Sequence, residues 1–514
     1  MDGLTRLQCR SLMRAAQNVA ASASCLAFKT PPVRRNASTS TSGNSLAWPH
    51  NLSKTNCLLT PGPAAAPRKE RVVILGSGWA GYAAARTLSP SRFERVLISP
   101  RSHFVFTPLL ASTSVGTLEF RAAIEPVRRL GLDEFHQARA TSIDFKNKVI
   151  RVEANERGDV SAATRRPQIN GEEFDVKYDK LIIAVGCYSQ TFGIEGVREH
   201  ANFLRDVGDA RAIRLRILDA FETADLPTTS DEERRKLLHF AIVGGGPTGI
   251  EFAAELHDLI DEDLARMYPG ILDFCTITVY DIAPKVLPMF DSKLAAYATE
   301  IFKRQGIRVK TEHHLTRIRR DGRTLMLRIK EEPEEVGAGI VVWSTGLMQN
   351  PLVQQLVETE IDGRGKLAKE PKTGGIVTNS NMQVQLRWPD GESNDATATL
   401  EDVYAIGDCI SVQGSPYPAT AQVASQQAVY LAKQLNRGMG NFSKPFSFRN
   451  WGVMTYLGGW RAIHQSKADS LKGWAAWMLW RTAYLTRSMS VRNKIMIPVY
   501  WLITWIFGRD ISRF

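Results

Sequence analysis

Two stretches of this 514-residue chain have the residue spacing that grips a pyrophosphate. In the first, Gly76, Gly78 and Gly81 spell G-x-G-x-x-G between the apolar run 72–75 and an Ala-rich segment. Glycine is needed there for a tight turn, for close approach of phosphate to the backbone, and for close packing of helix on strand. The helix that follows points unpaired N–H groups and its dipole at the anion. The second stretch, HFAIVGGGPTGIEFAAEL, repeats the pattern with Gly244, Gly246 and Gly249. Its next strand, CTITVYDIAPKV, carries Asp281 near its end. A carboxylate there suits the ribose hydroxyls of NADH and repels the extra phosphate of NADPH. The gap to Asp281 exceeds the usual ~20 residues, and the Asp-rich insert LIDEDLARMYPGILDF accounts for it as an extended helix and turn. A third segment, ATAQVASQQ, sets Gln422, Gln426 and Gln427 among Ala and Val. A buried amide must find partners or lose roughly 1–3 kcal/mol. On these residues alone, a capped or solvated helix face remains open beside a binding role.

Parallel α/β units must position these groups, because each glycine turn joins an apolar strand to a helix. Two further strands, YDKLIIAVG ending at Gly186 and LEDVYAIGD ending at Gly407 and Asp408, belong to the same scheme. One expected feature is missing. The strand RVLISPRSHF ends at Ser99, with Arg101 two residues on, where a ribose-binding acid is usual. Either the Ser99 hydroxyl serves or other contacts hold the dinucleotide. The six cysteines, Cys9, Cys25, Cys57, Cys187, Cys275 and Cys409, include no C-x-x-C or C-x4-C pair. That disfavours a zinc site, a redox dithiol and a disulfide framework. No D-x-D-x-D-G calcium loop is present either, so no metal is expected.

The order of glycine turn, A-x-G strand, second glycine turn and G-D strand resembles the flavoprotein reductases with two dinucleotide-binding domains. Within them, SPRSHFVFTPLLASTSVGTLEFRAAIEPVR, GGGPTGIEFAAEL, ATAQVASQQ and the tail WLITWIFGRDISRF resemble the type II, or alternative, NADH:ubiquinone oxidoreductases of fungal and plant mitochondria. The likeness runs from about residue 70 to the C-terminus, and its two ends are its specific parts. It implies two Rossmann-like domains, for FAD and for NADH, with a C-terminal amphipathic helical region that anchors to a membrane. FAD contacts fall to Gly76, Gly78, Gly81, Ser99, Arg101, Thr107, Gly186, Asp408, Ala421 and Gln422. NADH contacts fall to Gly244, Gly246, Gly249, Glu251, Asp281 and Gly346. Gln422 and Gln426 are implied to line the quinone site beside the flavin, with Ala421 and Ala424 giving clearance and Gln427 on the opposite, solvated or packed, side. Glu251 is implied to lie near the nicotinamide, and with the two glutamines it forms the candidate catalytic set. A helix-start acid favoured by the dipole is its plainer reading.

Domain organisation follows: leader and linker over 1–67, FAD domain over 68–200 and 373–440, NADH domain over 201–372, and an anchoring or dimerisation region over 441–514. The net charge of +12 is mostly a leader property, since residues 1–69 hold nine Lys and Arg against Asp2. Arg6, Arg10 and Arg14 share one helix face, as in a mitochondrial presequence, so no nucleic-acid partner is expected. Five of the eleven tryptophans and seven basic residues fall after residue 470, yet the longest uncharged apolar run, 495–507, is too short to span a bilayer. Short helices rich in Trp and basic residues suit the headgroup plane, and a dimer through the same region is compatible. The expected enzyme passes electrons from NADH through FAD to ubiquinone at the inner membrane, without pumping protons, with the matrix side favoured. A sulfide:quinone oxidoreductase would need redox cysteines. An AIF-like binding or signalling flavoprotein would need neither the glutamine pair nor the tail.

Overall fold

The computed structural model describes residues 68–156, 171–361, 365–387, 398–438, 444–467, 469–488 and 490–513. The leader reading over 1–67 lies outside them. Six helices matter to the site: α1 (Trp79–Thr87), α2 (Val207–Asp225), α3 (Pro247–Leu259), α4 (Ala421–Arg437), α5 (Trp474–Arg487) and α6 (Val491–Phe507).

An 11-stranded sheet draws its strands from 70–183 and from 366–412. At its centre Glu70–Leu75 lies parallel to Phe93–Ser99 on one side and to Lys180–Ile183 on the other. Thr399–Ala405 then pairs parallel with Lys180–Ile183, which brings the 408 region beside the first glycine turn. These strands are continuous β-branched and Leu runs because helices or other layers cover both faces. A five-stranded, all-parallel sheet forms the second unit, with His239–Val243 between Ile340–Trp343 and Thr276–Tyr280. Both dinucleotide turns therefore sit at the C-terminal ends of central strands, where open α/β sheets bind ligands.

The C-terminal region departs from an all-helical reading. Before α5 it forms a three-stranded antiparallel sheet, Val453–Gly458, Arg461–Gln465 and Ser470–Gly473. The short alternating runs around Gly458 and Gly459 favour a hairpin, and its inner face buries Leu457, Ala462 and Ile463 in the same core as α3. The Asp-rich insert after α3 begins as a π-helical turn, Ile260–Leu264. No helix among the described residues is long and apolar enough to cross a membrane.

Candidate functional site

The glycine turns are built as their spacing requires. A Cβ on Gly81 would sit 1.8 Å from the Gly76 carbonyl oxygen, and one on Gly249 would sit 2.0 Å from that of Gly244. Each third glycine thus lets its helix close on its own turn. A run of three also hides a residue that the motif does not name. Gly245 N–H donates to the Asp281 carboxylate, and a Cβ on Gly245 would meet Asp281 Oδ2 at 2.9 Å. The other oxygen of Asp281 accepts from Ala283 N–H at 2.7 Å. Turn and acid are thereby locked together, and each oxygen keeps a second acceptor position for a ribose hydroxyl.

Around the first turn lies a cleft of about 1200 Å³. Gly76, Gly78, Ser99, Arg101, Thr107, Gly186, Asp408 and Ala421 all line it. The Ser99 hydroxyl is spent within the fold, since its Oγ lies 2.8 Å from Ser77 Oγ and accepts from Arg101 N–H. Arg101 is ion-paired to Asp206 at 2.9 Å, and Thr107 accepts from Trp79 Nε1 at 3.1 Å. Asp408 differs from these. It is half-buried, its one side-chain hydrogen-bond donor among the described residues is the Cys187 thiol at 3.4 Å, and desolvation pushes its carboxyl above the usual range against that bond and the Arg205 charge. A half-buried carboxylate so short of donors fits a dinucleotide's hydroxyls, and the helix N-terminus on the same cleft fits its phosphates. FAD therefore fits the residues present.

The candidate catalytic residues lie elsewhere. Gln422 and Gln426 point away from the cleft, to the segment 449–452. Gln422 Nε2 donates to Gly452 O at 2.8 Å and its Oε1 accepts from Trp451 N–H at 3.3 Å. Gln426 makes the same pair of bonds with Arg449 O and N–H, at 2.9 and 3.0 Å. Both amides act as side-chain copies of a peptide group. Gln427 is buried and its Oε1 accepts from Gly407 N–H at 2.8 Å, which fixes the G-D turn. Ala421 and Ala424, by contrast, face the cleft.

Glu251 is not among the cleft-lining residues. It is 7% exposed, and its Oε1 accepts from Tyr456 N–H and Trp480 Nε1, both at 3.2 Å. Burial pushes its carboxyl up to about 8, more than those two bonds offset. Glu255 and Asp258 continue the same face of α3. Glu255 accepts from Ser112 and Thr117 hydroxyls, while Asp258 accepts from the Tyr456 hydroxyl at 2.6 Å and from Gly459 N–H. Arg509, beyond α6, closes this network on Asp263, Glu262 and Thr117. Gly346 has φ +75°, and a Cβ there would strike the Phe192 ring. The described cysteines, Cys187, Cys275 and Cys409, are all free, and no described group of three or more His, Cys, Asp or Glu could hold a metal ion.

Comparison with known proteins gives a consistent picture. The pyridine nucleotide-disulphide oxidoreductase family matches residues 70–428, and the NDH2 C-terminal domain family matches 451–510. A probable NADH dehydrogenase of Dictyostelium discoideum is 40% identical, over 87% of this chain and 91% of that protein. A mitochondrial internal alternative NAD(P)H-ubiquinone oxidoreductase A1 of Solanum tuberosum is 38% identical, over 87% of this chain and 88% of its own. The solved structure of NDH2 from Plasmodium falciparum in complex with NADH superposes with a TM-score of 0.76 at 25% identity, covering 87% of this chain and all of that one.

Proposed function

The chain belongs to the type II NADH dehydrogenases, a branch of the pyridine nucleotide-disulphide oxidoreductases, and from that premise we propose how its surfaces divide the reaction. It is a mitochondrial NADH:ubiquinone oxidoreductase that uses FAD and does not pump protons. When bound, FAD supplies the redox chemistry, taking two electrons from NADH and passing them to the quinone. The protein's part is to seat, separate and orient. The turn at Gly76–Gly78 and the start of α1 hold phosphate, and Asp408 takes a cofactor hydroxyl. The turn at Gly244–Gly249 and Asp281 hold NADH. Glu251 acts from behind the nucleotide, bracing α3 against the tail.

Ubiquinone reaches the flavin along the first turns of α4. The observation that carries this reading is continuity. Ala421 and Ala424 face the cleft, Gln422 and Gln426 on the same turns hold the 449–452 strap, and the strap leads into α5 and α6. Those helices expose Trp474, Ile495, Leu502, Trp505, Ile506 and Phe507, with Arg487 and Lys494 exposed among them and Lys472 exposed on the strand just before. This face is suited to the headgroup plane of the inner membrane. A matrix-side position and a homodimer through the same region are both compatible with it.

Two-step anaerobic mixing tests the division. NADH added to the leaderless protein should bleach the flavin, and a short-chain ubiquinone added next should restore it rapidly. Bleaching without recovery would remove the quinone from the reading, and absence of bleaching would remove NADH.

A further inference from the structure

Arg205 belongs to no motif. It follows the short strand Asn202–Phe203, and its N–H donates to Asp209 Oδ2 at 3.0 Å, inside the capping box that starts α2. Its backbone is thereby fixed, and its side chain lines the cleft. There Nη2 donates to Cys187 Sγ at 3.4 Å, and Nη1 is shut off from solvent with no acceptor. Thiol sulfur is a weak acceptor, and a buried donor without a partner is costly.

Across the same thiol stands Asp408. Burial pushes Cys187 up to about 11, so it stays protonated and donates to that carboxylate. An Arg and an Asp this close would ordinarily form a two-bond fork. Here the thiol keeps them apart, and each lines the cleft with hydrogen-bonding capacity that the fold leaves unused. The charge balance of the cleft points the same way. Arg101 is neutralised by Asp206 and Arg139 by Glu153, while Arg198 stands exposed at the rim. Arg205 has no carboxylate partner among the described residues, and a dinucleotide brings two phosphate charges of which a helix terminus offsets about half of one.

We propose that Arg205 is a further FAD-holding residue, its guanidinium donating to a pyrophosphate oxygen while Asp408, across Cys187, accepts from a cofactor hydroxyl. Arg205 lies on the segment that leads into the NADH-binding unit, whereas Asp408 and Gly76 belong to the large sheet. The cofactor thereby ties the two units together.

The test is FAD titration of full-length, flavin-stripped Arg205→Met and Arg205→Lys proteins, followed by flavin fluorescence, with riboflavin as the probe lacking the pyrophosphate. Arg205→Met should raise the Kd for FAD at least tenfold and leave riboflavin unaffected, Lys should restore part of the loss, and the flavin-free Tm should not fall. An unchanged Kd, equal weakening of FAD and riboflavin, or a Tm lowered equally with and without FAD would overturn the proposal. The inference rests on the FAD seat described above. Wild-type protein that took up no FAD would overturn that seat, whereas normal uptake with an unaltered Arg205→Met constant overturns only the role of Arg205.

Discussion

At Glu251, burial outweighs two hydrogen bonds from Tyr456 and Trp480, and the carboxyl keeps its proton to about pH 8. The consequence for stability has a definite sign. A carboxyl whose pKa is raised by folding gives its full contribution below its unfolded value, and that contribution is lost as pH rises toward the folded value. The window runs from about 4.5 to about 8. Glu251→Gln keeps an acceptor for both N–H donors and cannot ionise. Its Tm should exceed that of the wild type by ~2 °C or more at pH 8.5, with the difference shrinking by pH 5.5; parallel melting curves at the two pH values would refute this. Asp281 makes a separate case. Asp281→Asn removes the charge but keeps an oxygen for Gly245 or Ala283, so the kcat/KM ratio of NADH over NADPH should fall by about tenfold, the value of ~1.4 kcal/mol. A ratio that does not move would dissociate Asp281 from nucleotide choice. Both residues stood out in the sequence, but to different depths. The position of Asp281 after an apolar strand is a local pattern. The partners of Glu251 lie 205 and 229 residues away, and no spacing rule reaches them.

The same contrast holds for whole elements. The glycine turns were legible because strand, turn and helix occupy some twenty consecutive residues and their chemistry is internal to that window. The role of α4 was only half legible. Its small residues do face the cleft, but the amides of Gln422 and Gln426 grip a strap whose existence depends on the tail folding back. Loss of one such amide frees a peptide N–H and a carbonyl. At about 1 kcal/mol net per bond, Gln422→Ala should speed amide exchange at Trp451 and Gly452 by about fivefold or more, with the flavin spectrum unchanged. Normal exchange there would mean that other contacts hold the strap. The tail sheet before α5 escaped the sequence reading because Trp and basic residues dominate that composition, while the hairpin rests on a few buried side chains and two glycines. At the far end, the π-helical turn after α3 presents Glu262 and Asp263 to Arg509. Arg509→Met would leave Asp263 buried and unpaired, a loss of about 3 kcal/mol by the usual cost of breaking such a pair. The midpoint of urea unfolding measures it, and Arg509→Lys should fall between, since it keeps the charge without the fork.

For the molecule as a whole, the reaction joins a reductant dissolved in water to an acceptor dissolved in lipid, so one surface must meet each phase. The outward stripe of α6, Val491, Ile495, Val499, Leu502 and Ile506, recurs every three or four residues and is 48–73% exposed, while Asn493 and Ile497 on the inner side are buried, Asn493 bonding to Ala122 O and Ile124 O. A helix pinned along one side and apolar along the other is held flat, ready to lie in an interface rather than to cross it. Trp505 and Phe507 end the stripe at 55% and 80% exposure. Burying a side chain of this size in lipid is worth about 1.5–3 kcal/mol, so the double substitution Trp505→Glu and Phe507→Glu should weaken binding to anionic vesicles more than tenfold, as measured by cosedimentation. Added salt should weaken the wild type too, through the exposed Lys472, Arg487 and Lys494. The variant should still reduce a soluble acceptor with NADH at the normal rate and still use a short-chain ubiquinone, but lose turnover with a long-chain quinone confined to the vesicles. If all three acceptors failed together, α6 would be a structural helix whose exposed side packs on a second copy of the chain. If none changed, the membrane face would have to be sought elsewhere on the molecule.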